Sequence, residues 1–277
     1  METDTNNAPL TTRCLNCGTE FQGKYCPECG QSADTGKFTP RFLFDNFISA
    51  VLGRDGSIWF TIKSLFTRPS EMMVDNLNGK RKKYFSPFPM LFMVLTLYVL
   101  ISALMNASVV DLITVNNTEL PAEATSDEYF TYESRQLVQN GLKFFYNHHT
   151  LCIILTLPLA LVAARICYGK KNRKRYNWAE YAIVVVYATV ILMLFRCLTK
   201  LVFPLNPKGT TAYGIALSPL VAIIANTVCF KKMLGFSVVK TAWRSILTEL
   251  FYYLLMVLLF SVIAIISAVY MVEKYYG

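Results

Sequence analysis

Residues 179–201 read AEYAIVVVYATVILMLFRCLTKL, and this stretch decides what kind of protein the chain is. Its charged side chains are Glu180, Arg196 and Lys200, all away from its middle. About 20 apolar residues carry a helix across the hydrocarbon core of a bilayer. Four more stretches share this character: Phe88–Val109, Thr150–Tyr168, Ala212–Phe230 and Ile246–Val272. Five transmembrane helices are therefore expected, with the Ser218-Pro219 step placed to kink the fourth. Composition agrees, because 54% of the 277 residues are hydrophobic and only 16% are charged. An ordinary soluble domain carries about a quarter charged residues. A soluble enzyme, a disordered chain and a disulfide-rich secreted scaffold do not fit this balance.

Between the spans, positive charge is distributed unevenly. Lys80, Arg81, Lys82 and Lys83 precede the first span. Lys170, Lys171, Arg173, Lys174 and Arg175 separate the second from the third, and Lys231, Lys232, Lys240 and Arg244 separate the fourth from the fifth. The opposite side holds Arg135, Lys143, Lys200, Lys208 and Lys274. Lys and Arg concentrate on the cytoplasmic side of membrane proteins, so the N-terminus is expected inside and the C-terminus outside. The first two groups, Lys80–Lys83 and Lys170–Arg175, are candidate contacts for anionic lipid headgroups. Residues 1–13 form a polar tail without the apolar core of a signal peptide.

Upstream of the membrane region, residues 14–31 read CLNCGTEFQGKYCPECGQ. Two C-x2-C pairs, Cys14/Cys17 and Cys26/Cys29, are each followed by glycine. That spacing suits four thiolates converging on one tetrahedral Zn2+, in a closed and hence structural site. The residues alone also admit two disulfides, which a reducing compartment disfavours, or a rubredoxin-like iron. Phe21 and Tyr25 are expected to form a short hairpin around Gln22-Gly23. A segment this small lacks a core, so the metal supplies its folding energy. A linker over 32–39 follows, then amphipathic juxtamembrane helices over 40–87. Phe42, Phe44, Phe47, Ile48 and Val51 make one apolar stripe, and Ile58, Trp59, Ile62, Leu65 and Phe66 another. These faces suit either the membrane interface or packing on the bundle. Pro69 is placed to start a further helix.

Charges inside spans are costly and mark candidate sites. Arg165, Glu180 and Glu249 are each expected within about one turn of a cytoplasmic span end, where they could form a polar cluster. Arg196 is expected to reach the outer headgroups, at a depth some 20 Å from Glu249. His148 and His149 are adjacent, so they cannot share a helix face as metal ligands do. Cys152, Cys167, Cys197 and Cys229 stand singly and read as small apolar residues. With no phosphate-binding loop or nucleophile motif, catalytic residues are not expected. Between Cys14 and Cys29 only Lys24 is basic, against Glu20 and Glu28, so nucleic acid is not an expected partner.

The ribbon motif, followed by FTIKSLFTRPSEMMVDNLNGKRKKYFSP over residues 60–87 and then a membrane bundle, resembles a bacterial family of zinc-ribbon membrane proteins. That family, common in Bacteroidetes, is known only as a domain of unknown function. The likeness covers residues 14–90 closely, Tyr176-x3-Glu180 resembles a further family feature, and the remainder is similar in hydropathy. The resemblance implies four zinc ligands (Cys14, Cys17, Cys26, Cys29), a bacterial inner membrane and no established activity. The expected protein is an all-α integral membrane bundle of about five spans preceded by a four-cysteine zinc ribbon. Its expected role is to dock a cytosolic protein partner on a membrane platform. The alternative is a small-solute or lipid transporter whose bundle acts and whose ribbon regulates.

Overall fold

The computed structural model describes residues 11–35, 58–104, 125–168, 172, 175–202 and 207–276. The stripe from Phe42 to Val51, the end of the first expected span and the basic residues Lys170, Lys171, Arg173 and Lys174 lie outside the described residues.

Two short strands, β1 (Thr12–Arg13) and β2 (Glu20–Phe21), pair antiparallel with Thr12 opposite Phe21 and Arg13 opposite Glu20. The helices are α1 (Ile58–Thr67), α2 (Pro69–Leu77), α3 (Pro87–Leu104), α4 (Ser126–Asn147), α5 (His149–Cys167), α6 (Trp178–Val202), α7 (Pro207–Leu234) and α8 (Val238–Tyr276). Among the described residues, five helices are long and apolar enough to cross a membrane: α3, α5, α6, α7 and α8. The chain is a multispan, mainly helical membrane protein with a small cysteine-bearing N-terminal ribbon.

Helices α5, α6, α7 and α8 form a ring in which each packs on its two neighbours. Outside the ring, α3 lies against α6 and α2 lies across α7. Helix α6 thus has protein on three sides, and its Tyr181, Ile183, Val184, Val186, Tyr187, Val190 and Met193 are wholly buried. An all-round apolar helix is what such a position requires. The Tyr187 hydroxyl donates to the Phe85 carbonyl at 2.7 Å and accepts from Asn76 Nδ2 at 3.3 Å. That pairing ties α2 and the turn before α3 to the centre of the bundle.

The juxtamembrane helices divide their faces. Helix α1 turns Thr61, Ser64 and Leu65 inward and leaves Trp59 and Phe66 exposed. Helix α2 starts at Pro69, as expected, and buries Met72, Met73 and Asn76. Ser70 Oγ donates to the Val228 carbonyl, and Lys232 pairs with Glu71 at 2.6 Å. The other two tryptophans, Trp178 and Trp243, are also exposed, at the start of α6 and near the start of α8. All three lie at the same end of the bundle, the arrangement of an interfacial aromatic belt.

One boundary departs from expectation. Helix α8 begins at Val238 rather than Ile246 because Lys240 and Arg244 do not interrupt it. Their cations lie over the Phe236 ring at 4.9 and 4.6 Å. Its 39 residues span about 58 Å, longer than the hydrocarbon core. Between α3 and α5 stands the 22-residue α4, started by a capping box between Thr125 and Glu128.

Candidate metal centre and intramembrane cavity

Each C-x2-C-G segment folds into a knuckle whose backbone closes on itself. The Cys14 amide donates to the Thr19 carbonyl at 2.8 Å, and the Gly18 amide to the Cys14 carbonyl at 2.9 Å. Twelve residues later the pattern repeats, from Cys26 to Gln31 at 2.8 Å and from Gly30 to Cys26 at 2.9 Å. Gly18 and Gly30 have φ of 83° and 69°, the left-handed region that other residues resist. The strands therefore pair across each knuckle: β1 with β2 around the first, and Tyr25 with Ser32 around the second. This corrects the expected Phe21–Tyr25 hairpin and shows that the ribbon begins at Thr12, within the expected tail.

All four sulfurs lie within 4.8 Å of one another, with Cys14 to Cys29 and Cys17 to Cys26 both at 3.5 Å. Sulfur separations in a tetrahedral Zn–S4 site are about 3.8 Å, whereas a disulfide is about 2.05 Å. The cysteines are free thiols and fit a single metal ion. Hydrogen bonding to the Thr19 hydroxyl and backbone draws Cys17 below the ordinary thiol range, while burial raises Cys29.

The ribbon is seated on the membrane domain. Gln31, the residue after the second knuckle, is buried, and its Oε1 accepts from the backbone amides of Arg81 at 3.1 Å and Lys82 at 3.2 Å. Leu15, inside the first knuckle, packs on Gly79, whose φ is 95°. The basic segment is thus engaged by the chain itself. Lys80 pairs with Asp75 at 2.9 Å. Lys83 lies over the Phe60 and Tyr84 rings at 5.2 and 5.8 Å. Burial lowers Arg81 to about 10, opposed by the Glu180 and Asp34 carboxylates. On the neighbouring corner, Arg175 lies 5.2 Å over the Tyr176 ring.

Of the three charges expected to cluster, the structure brings Arg165 of α5 and Glu180 of α6 to the same segment, at the start of α6. The Arg165 guanidinium donates to the Tyr176 carbonyl at 3.1 Å and lies 4.4 Å over the Trp178 ring. Glu180 closes a capping box with Asn177, each side chain accepting from the other's amide, at 2.7 and 2.9 Å. Glu249 has a different setting. Because α8 starts early, Glu249 lies eleven residues along it, not one turn, and it accepts from Asn226 Nδ2 at 2.9 Å.

Glu249 lines a cavity of about 450 Å³ between α5, α6, α7 and α8. Arg196 lines it too, its Nε donating to Ser218 Oγ at 2.9 Å. This corrects the expectation that Arg196 reaches the outer headgroups: a hydroxyl on the facing helix holds it inside the ring. Tyr252 donates to Thr156 Oγ1 at 3.1 Å across the same space. Asn226, Thr156 and Tyr252 are not singled out by the sequence, and Ser218 is read there only as part of the Ser218-Pro219 step. The local signal on α7 is that Ser218 and Asn226, with the small Ala222 between them, follow at four-residue intervals on one helix face. Cys197 and Cys229 are buried among apolar side chains, and Cys152 lines the cavity. His148 ends α4, its ring 4.5 Å from Phe144.

Residues 55–99 match a family model described as "Protein of unknown function (DUF3667)". The matched segment runs from before α1 into α3 and contains the loop that receives Gln31. The cysteine knuckles precede it. No curated protein and no solved structure matches the chain.

Proposed function

We propose that this chain is a non-enzymatic protein of a bacterial inner membrane that holds a small solute or lipid among α5, α6, α7 and α8. In this reading its zinc-loaded ribbon acts as a cytoplasmic clasp on the bundle. The carrying observation is the cavity, which has Arg196 with Ser218 at one end and Asn226 with Glu249 at the other. Pockets of several hundred Å³ with a few convergent polar groups in an apolar wall are the usual form of small-molecule sites. Orientation with the N-terminus in the cytoplasm rests on the Lys and Arg bias. Zn2+ is the ion favoured by four closed thiolates. Arg175, with Lys170, Lys171, Arg173 and Lys174, would meet anionic headgroups, each cation contributing about 1 kcal/mol.

The test is native mass spectrometry of the full-length protein released from its own membrane, comparing wild type with Ala222→Phe. A bound small molecule or lipid seen in the wild type and lost in the variant is expected. Identical spectra without adducts would overturn the reading.

A second reading, a docking platform for a cytosolic protein, draws on the ribbon's fixed seat. Gln31 faces the bundle while Tyr25 is 67% exposed, so a partner would meet a rigidly placed surface. Crosslinking and affinity recovery at matched membrane abundance should lose that partner in Cys26→Ser/Cys29→Ser. An unchanged partner set removes this reading.

A further inference from the structure

The charges in the cavity are arranged by one face of α7. Ser218, Ala222 and Asn226 follow one another at four-residue steps and all line the space. Ser218 holds Arg196 of α6, and Asn226 holds Glu249 of α8, both at 2.9 Å. Eight residues of helix separate these anchors by about 12 Å. A cation and a carboxylate are thus presented to one cavity from opposite ends.

Between the anchors the wall changes character. Ala222 leaves room at the midpoint, and Leu157, Ala160, Val185, Ala188 and Met256 supply apolar surface. Tyr252 and Thr156 form the polar contact in this stretch, and they satisfy each other. Arg196, Tyr252, Tyr253 and Glu249 line the same space, so the two charged side chains face one volume. The field runs from one end of the cavity to the other and orients a dipolar guest. A ligand with a single charge would meet only one of the two wall groups.

We propose that this cavity is a binding site for an elongated zwitterion, its anionic end on Arg196, its cationic end on Glu249, and its apolar middle against Ala222. The inference rests on the cavity reading above and adds the ligand's chemical class. The recognition is by charge at two fixed points and by length between them. Arg196 contributes the planar guanidinium that suits a carboxylate or phosphate. Glu249, held by a neutral amide, contributes an acceptor for an ammonium group.

The experiment titrates full-length protein in lipid nanodiscs, with empty nanodiscs subtracted, using terminal-amino hexanoate, octanoate and dodecanoate. Octanoate and octylammonium serve as single-charge controls. One aminoalkanoate length is expected to bind best, and about ten-fold tighter than either control. Arg196→Gln and Glu249→Gln should each weaken that ligand by about ten-fold or more. Glu249→Gln should leave plain octanoate unchanged. Affinity indifferent to chain length, or equal for the zwitterion and the controls, would overturn the inference. That wild-type comparison decides the matter even where a substitution fails to fold. Octanoate binding that needs Arg196 but gains nothing from the ammonium overturns the zwitterion while leaving a small-molecule cavity standing. No binding by any probe overturns the zwitterion too, and wild-type spectra without adducts would then remove the cavity reading itself.

Discussion

Gln31 accepts a hydrogen bond from the Arg81 backbone amide at 3.1 Å, across fifty residues of sequence. With the parallel bond from Lys82, this one side-chain oxygen fastens the cysteine ribbon to the loop that leads into α3. The same loop continues into Tyr84, which is buried and donates to Asp75, and into Phe85, whose carbonyl receives Tyr187. A continuous chain of contacts therefore runs from the metal knuckle to the centre of α6.

Replacing Gln31 with Ala removes the acceptor shared by the part-buried Arg81 and Lys82 amides, of which the Arg81 amide also donates to the Gly79 carbonyl at 2.9 Å, at a cost of about 1–3 kcal/mol for that contact. Metal content should stay at the wild-type value because no ligand is touched. Hydrogen exchange should accelerate at Lys82, and less at Arg81, whose amide keeps its bond to the Gly79 carbonyl. Unchanged exchange would show that the ribbon is not held by this side chain.

Gly79 is the other half of the seat. A Cβ added there would lie 2.6 Å from Leu15 Cδ1, and its φ of 95° is unfavourable for any L side chain. Gly79→Ala is expected to destabilise by about 1–2 kcal/mol from the backbone alone, plus displacement of Leu15. Leu15→Ala in the same chain should relieve the steric part and leave the backbone part. Stabilities of the two single variants and the double variant check this. Strict additivity would contradict the contact.

Cys17→Ser removes one of four converging thiolates and should abolish metal retention. The ribbon has little apolar core of its own, Phe21 being its buried aromatic residue. Metal binding in such small sites is worth on the order of 10 kcal/mol, so the ribbon should unfold. Limited proteolysis is expected to cut between residues 12 and 35, while the spans stay inserted. Resistance to cleavage in metal-free protein would refute a metal-dependent fold.

Asp75 gives the seat a pH dependence. Burial alone would raise its carboxyl, but the Lys80 ammonium and the Tyr84 hydroxyl outweigh it and hold it below the ordinary range. A carboxyl depressed in the folded state adds stability above its unfolded value of about 3.9, and that stability is lost as pH falls through the folded value. Acidification through that window should therefore loosen the loop, seen as faster proteolysis near Lys80–Lys83. Asp75→Asn should flatten this dependence, while lowering resistance at neutral pH. A pH profile identical in the variant would exclude Asp75 as the source.

The family-model match stops short of both sites, yet much of the chain could be read directly. Five spans followed from apolar runs, and four ligands followed from C-x2-C spacing. Pro69 began a helix where expected. Other details were wrong for definable reasons. The knuckle strands pair across each reversal rather than between the pairs, because the backbone of each C-x2-C-G turn sends the chain back on itself. Helix α8 starts eight residues early because Lys240 and Arg244 find an aromatic face and do not end it.

The sequence by itself determined what is local: hydropathy summed over a span, and metal-ligand spacing within eighteen residues. Only the tertiary structure decided which faces of those spans meet. In lipid, an apolar helix gains little hydrophobic energy from turning one side inward, so its rotation is set by packing and polar contacts with neighbours. Arg196 finds Ser218, Glu249 finds Asn226, and Gln31 finds the Arg81 amide only once the helices and the ribbon are in place. Each of these pairings satisfies a polar group that burial would otherwise penalise, and each partner comes from a different element of the fold.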